Sequence, residues 1–336
     1  MNSTQTNTDL DAYNVSNPPA TWDDITEDGR ASIIICIVQV FSMILLLTLN
    51  PLCLLVLRRV DNIQDTTKVF LRSLTMADLG VGIFYSLPIT VSALSGDWLF
   101  GDVLCMLQAL LQPVCFGSSI LSLFLLTIDR YISVVYALRY PSIVTETRAR
   151  VAVCCAWGIN LSLTIWNGFE ARWFALYDSI ALECDFANSN AHFLRIMVIY
   201  MCLLLSTMLA ILATYIRLLM ISRRHARRIH ADNQVALGAN QHARQNRKYL
   251  NTFLIMVVSG MLGNLLPSLF TIVLLLQHVE LTQALFFSLV VMPIQTNSWL
   301  NVMIYYLRNK DIRQATRAVL ISFSTFFKRV LLCRRN

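Results

Sequence analysis

The sequence predicts an all-α membrane protein, a seven-transmembrane helix bundle with a short amphipathic C-terminal helix. Three observations carry that prediction. Charged residues make up 14% of the chain and apolar residues 56%, with a mean hydropathy of +0.57, whereas a soluble domain carries about a quarter charged and under half apolar. Seven runs are uncharged or nearly so and long enough to cross a bilayer core, which takes roughly 20 apolar residues of helix. The basic residues are divided very unequally between the segments that join those runs.

The runs cover residues 31–57, 73–95, 103–128, 151–169, 196–216, 249–277 and 281–307. None alternates polar and apolar residues as a membrane barrel strand does. Seven crossings put the two termini on opposite sides. With the N-terminus outside, only Arg30, Arg172 and Arg195 of the 27 basic residues lie outside, so the other side is cytoplasmic. Thirteen of the 20 acids fall outside, six of them in the first 30 residues. The +7 net charge is therefore an orientation signal, and no nucleic-acid partner is expected. The chain divides into an extracellular tail (1–30), a membrane domain (31–307) and a cytoplasmic helix and tail (308–336), with the lipid bilayer as its solvent. The tail shows no basic or hydrophobic signal-peptide region. It carries two glycosylation sequons, at Asn2 and Asn14. A third match, at Asn160, lies inside a run.

The first run contains Asn50-Pro51, a kink or a polar network. The second holds Asp78, the one carboxylate expected deep in the bilayer; a charge there costs at least about 2.5–3.5 kcal/mol, which marks a functional position. The third begins near Cys105 and ends in Asp129-Arg130-Tyr131. Of nine cysteines, only Cys105 and Cys184 are expected at the oxidising outer surface, so they are the natural disulfide pair. The fourth contains Trp157, a packing candidate. A basic segment, 217–248, follows the fifth; it faces anionic lipid or docks a partner, and the two roles are compatible. The sixth contains Pro267, a kink candidate. The seventh carries Ser298, Asn301 and Tyr305. Beyond it, residues 308–327 read as an amphipathic surface helix, with Ile312, Ala315, Val319, Phe323 and Phe326 at helical spacing. Cys333 is a palmitoylation candidate.

The order and spacing of Leu74-Thr75-Met76-Ala77-Asp78, Cys105, Asp129-Arg130-Tyr131, Trp157, Cys184, Tyr215, Pro267 and Asn301-Val302-Met303-Ile304-Tyr305 resemble those of rhodopsin-like (class A) G-protein-coupled receptors, over essentially residues 31–327. The resemblance implies a receptor that passes binding of an extracellular ligand to a heterotrimeric G protein. It gives Asp129, Arg130, Tyr131, Tyr215 and Tyr305 the coupling role. It implies an allosteric sodium ion at Asp78, Ser119, Ser298 and Asn301, and otherwise no cofactor; a hydrogen-bonded plug without an ion is the alternative. Four positions depart from the family pattern: Leu265 for a tryptophan, Val302 and Thr207 for prolines, and Met261 for an aromatic residue. At the foot of the sixth helix, where many members carry an acid that clamps the helix-three arginine, stands Arg247. This implies raised basal activity.

The resemblance also limits the ligand. Gln112 stands where amine receptors have an aspartate, Gln295 where opsins have the retinal lysine, and Ile272 where adenosine receptors have an asparagine. The expectation is neither an amine receptor nor an opsin. A pocket with Gln108, Gln112, Gln295 and Leu265 would suit a neutral or lipid-like ligand, or a basic peptide landing on the acidic outer surface at Glu170, Asp178, Glu183 and Asp185. A pump would need a relay of ionisable groups across the bilayer, and only Asp78 is there. No catalytic constellation is visible, so no enzyme is expected. A scaffolding receptor that does not signal remains the alternative.

Overall fold

The computed structural model describes residues 27–61, 63–179, 181–186, 190–231, 254–277, 285 and 287–333. They form a seven-helix bundle with one β-ribbon. In chain order the elements are α1 (Glu27–Leu57), α2 (Asp65–Ser95), α3 (Gly101–Val135), α4 (Glu146–Glu170), β1 (Ala175–Asp178), β2 (Glu183–Phe186), α5 (Asn190–Ala231), α6 (254–277), α7 (287–308) and α8 (Lys310–Cys333). A four-residue helical turn, Tyr140–Ile143, sits between α3 and α4. The third and fourth helices are longer than the apolar runs that announce them. Helix geometry continues into charged ends once a bundle supports it, and Thr145 starts α4 by accepting a bond from the backbone N–H of Arg148.

The helices turn large apolar side chains outward, Ile37 and Phe41 on α1 and Leu209 on α5 among them. In water that surface would be a liability; against lipid it is the expected exterior. Among the described residues, six helices are long and apolar enough to cross a membrane. Of the best window of each, 61% is buried in α2 and only 17% in α5, so α2 is central and α5 peripheral. The main apolar core lies toward the Asp129 end, where Leu126, Met208, Ile211, Tyr215, Met256 and Tyr305 pack together. A second cluster, with Val81, Tyr85, Cys115 and Phe287, fills the opposite half.

Among the described residues, three helices widen into a single π turn: Gly82–Ser86 in α2, Met261–Leu265 in α6 and Phe287–Val291 in α7. Each turn ends two residues before a proline, at Pro88, Pro267 and Pro293. Proline cannot donate to the preceding turn and its ring crowds the carbonyl four residues back. Widening the turn relieves that conflict, and π bulges recur at functional sites. Pro51 behaves differently, since α1 runs through it and the Asn50 amide donates to the Leu46 carbonyl of its own helix.

The C-terminal helix does not continue the seventh. Asn309 breaks the path with extended backbone, and its Oδ1 accepts from the N–H of Asp311 to start α8. Ile312, Thr316 and Val319 are buried on one face of α8, and the outer face carries Arg317.

Candidate functional site

Helix α3 runs through the bundle and carries one polar site near each end and one midway. At its C-terminal end Asp129 is 1% exposed. Its Oδ2 accepts from the Thr67 hydroxyl at 2.9 Å and from Arg130 Nη2 at 2.8 Å, and its Oδ1 accepts from the Tyr140 hydroxyl at 2.6 Å. Arg130 Nη2 also donates to Thr67 Oγ1, and the Thr66 and Tyr140 hydroxyls meet at 2.8 Å. A buried carboxylate is tolerable only when paired and hydrogen-bonded in this way. Burial, and then the bond to Asp129, hold the Tyr140 phenol above its usual value, so it stays a donor. Tyr131 is half-buried and makes none of these bonds; Tyr215 and Tyr305 lie in the adjoining apolar core.

Midway, Asp78 is fully buried. Ser119 donates to its Oδ1 at 2.8 Å, Asn301 Nδ2 to its Oδ2 at 2.9 Å, and Ser298 makes a third bond. The four residues named from the sequence therefore meet, drawn from α2, α3 and α7. Asn301 Oδ1 is buried without a hydrogen-bond partner among the described residues. A carboxylate, two hydroxyls and a spare amide oxygen are hard oxygen donors, which fit a small hard cation. Nearby, Trp157 is more than packing, because its indole N–H donates to Ser73, which bonds Ser122 across to α3. Asn160, the sequon match in the fourth run, is buried, and its amide donates to the Ala156 carbonyl of its own helix.

At the other end a disulfide joins Cys105 to Cys184, with Cα atoms 5.2 Å apart. The pairing predicted from exposure to an oxidising compartment is the one formed. It ties β2 to α3, and Gln108 reinforces the tie by accepting from the backbone N–H of Cys184 at 3.0 Å. In the antiparallel ribbon Tyr177 faces Cys184 and Asp178 faces Glu183. Strand alternation then turns Glu183 and Asp185 to the side opposite Cys184. Leu182, at φ 55, feeds the chain into β2 from the left-handed region, a strained setting for leucine.

Below the ribbon is a cavity of about 430 Å³ among α3, α4, α5, α6 and α7, with Tyr85 of α2 also in its wall. Phe116, Ile120, Tyr200, Ile272 and Ile294 give it apolar walls; Gln112, Glu183 and Asp185 stand at its ribbon side. Gln112 Nε2 donates to Glu183 Oε2 at 2.7 Å. Burial pushes the Glu183 carboxyl up to about 8, with the Gln112 bond opposing and the charges of Asp185 and Asp178 adding to the rise. Of the four residues expected in the pocket, Gln112 lines it. Gln108 sits behind the disulfide, Gln295 is fully buried away from the walls, and Leu265 is half-buried in the α6 π turn. The spans supply this cavity no carboxylate, and the loop supplies two, Glu183 and Asp185. Its signal was Glu183 next to Cys184, since a disulfide pins its flanking residues to the helix it reaches.

Arg247, Asn2 and Asn14 lie outside the described residues. Cys333 ends α8, and its side chain is also outside them.

Residues 49–305 match the profile of the 7 transmembrane receptor (rhodopsin family). The alpha-1A adrenergic receptor of Cavia porcellus is 32% identical over 169 residues, which is 49% of this chain and 34% of that receptor. The Homo sapiens receptor of the same name is 31% identical with the same coverage. That of Canis lupus familiaris is 36% identical over 107 residues, 31% of this chain and 35% of its own. The chain thus spans about a third of the length of these curated relatives. The profile match takes in the α3 carboxylate–arginine cluster, the Asp78 cluster and the disulfide together, and on it the chain belongs to the rhodopsin family of seven-transmembrane receptors.

Proposed function

We propose that the protein is a plasma-membrane receptor with its N-terminus and disulfide end outside, which passes occupancy of the cavity under the ribbon to a heterotrimeric G protein. The observation that carries this is the build of α3, which closes a cavity at one end and holds Arg130 in a hydrogen-bonded cluster at the other. Arg130 is held at rest by Asp129. Moving α6 away would free Arg130 to meet the G protein, with Tyr131, Tyr215 and Tyr305 around that opening. Where many family members carry an acid that clamps the helix-three arginine, the sequence has Arg247; a like charge there would repel Arg130 and raise basal exchange. Asp78, Ser119, Ser298 and Asn301 would hold a sodium ion, which supplies positive charge against Asp78 and favours the resting packing. Asn2 and Asn14 would be glycosylated outside and Cys333 palmitoylated inside. The relatives are named for adrenergic ligands, but Gln112 removes the helix-three counter-charge of amine receptors.

The test is nucleotide exchange on co-expressed G proteins, without added ligand, for wild type, Arg130→Ala and Arg247→Glu. Exchange above background that Arg130→Ala abolishes and Arg247→Glu lowers is the expected result. Exchange independent of Arg130 would count against the mechanism, and none with any G protein would favour a scaffolding receptor.

A further inference from the structure

The cavity under the ribbon has a charge character that the spans alone do not reveal. Its walls include two carboxylates, Glu183 and Asp185, and, among the described residues, no lysine, arginine or histidine. Nor does any described cation pair with Glu183; its neighbour is the neutral amide of Gln112. A carboxylate facing a partly dry, aromatic-walled space without a counter-ion is costly, and a bound cation removes that cost. The high proton affinity of Glu183 is the same imbalance seen another way.

The remaining walls indicate what carries the cation. About 430 Å³ is near the lower end of small-molecule pockets, too small to enclose a long lipid chain or a folded peptide. Phe116, Tyr85 and Tyr200 present ring surface, which suits an apolar or aromatic body and adds attraction for a cation near a ring face. Gln112 has a second part to play. Its Nε2 orients the carboxylate, while its Oε1 is buried with no hydrogen-bond partner among the described residues and could accept from an ammonium N–H.

We infer that this cavity binds a small cationic ligand, an amine on an aromatic or compact apolar body, and that its counter-charge is Glu183, supplied by the extracellular ribbon and oriented by Gln112, rather than a helix-three aspartate. The disulfide and the Gln108 bond to the Cys184 backbone hold that carboxylate over the cavity. Asp185, on the same side of the ribbon, adds to the field and is a secondary contributor. A neutral or lipid-like ligand leaves the Glu183 carboxylate uncompensated, whereas Asp185 is exposed to water and its Oδ1 accepts from the backbone N–H of Phe186. The inference rests on the receptor reading only in taking the cavity as the ligand site.

The experiment is thermal melting of the full-length receptor in nanodiscs at pH 7.4 with 2-phenylethylamine, tryptamine and octylamine, each beside its N-acetyl derivative. At least one amine is expected to raise the melting temperature in a dose-dependent way, with its acetylated partner at least tenfold weaker. Glu183→Gln should weaken that amine at least tenfold, and Asp185→Asn by a smaller factor. The exchange Glu183→Gln with Gln112→Glu, which returns a carboxylate to the same pair of positions, should restore much of the binding and guards against a merely misfolded single variant. No shift with any amine, equal shifts with the acetylated forms, or full binding by a folded Glu183→Gln variant would overturn the inference. The readout is binding, so failure here leaves G-protein coupling standing, and failure of coupling leaves this result intact.

Discussion

The two ends of α3 solve opposite electrostatic problems. At the Asp129 end a buried acid is closed off by an arginine, two hydroxyl donors and a further hydroxyl behind them. At the disulfide end a half-buried acid has one neutral donor and an open cavity beside it. A closed set of partners makes a resting contact that something must pull apart. An incomplete set makes a place where something can bind. One rod can carry a signal between its ends because one is satisfied and the other is not.

The comparison can be pressed from both sides. Removing the disulfide by Cys184→Ser attacks the open end; with a sequence separation of 79 residues, the loop-closure argument gives about 4.5 kcal/mol. Chemical denaturation of the variant should show that loss, and ligand protection of the cavity should go with it. Asp129→Asn attacks the closed end by leaving Arg130 beside a neutral amide; about 2–3 kcal/mol of stability should be lost, since Arg130 is partly exposed. Its melting curve should be paired with basal nucleotide exchange, which is expected to rise. Tyr140→Phe removes one donor from the same cluster and should cost about 1–2 kcal/mol, with a smaller rise in exchange. A Tyr140→Phe variant as unstable as Asp129→Asn would mean the cluster is not centred on the carboxylate.

The smallest effect is expected from pH at the open end, where water and salt screen the carboxylate. The folded Glu183 titrates near 8 against about 4.5 for an ordinary glutamate, so its proton is held more tightly when folded. Its contribution to stability is complete below about pH 4.5 and is lost as pH rises through about 8. Melting temperatures between pH 5 and 8.5 should fall for wild type more than for Glu183→Gln; parallel curves would remove Glu183 from the explanation.

The bundle was legible because hydropathy acts on each helix separately, and the bilayer sets a length that a run of residues either meets or misses. The disulfide was legible for a similar reason, since compartment alone singles out two cysteines. At the closed end, Asp129 and Arg130 were legible as neighbours, but Thr67 stands 62 residues away and Tyr140 lies on a separate turn. No periodicity relates them; only packing of α2 against α3 does. At the open end the sequence led to Gln108, Gln295 and Leu265, which the cavity walls do not include. Counting positions along the spans cannot say where a loop will fold, so Glu183 was read as part of an acidic outer surface.

The widened turns before Pro88, Pro267 and Pro293 bear on that miscount. Each lodges one residue more than a regular turn, and one residue is about 100° of rotation. Past each turn, side chains point about a quarter-circle away from where an unbroken helix would send them. In α7 the cavity receives Ile294, and Gln295 is carried out of its wall. Each turn also carries one wall residue, Tyr85, Asn264 or Val290. A receptor gene that loses any other single codon inside 82–86, 261–265 or 287–291 would therefore rewind the helix and re-aim half a span with its wall residues still encoded.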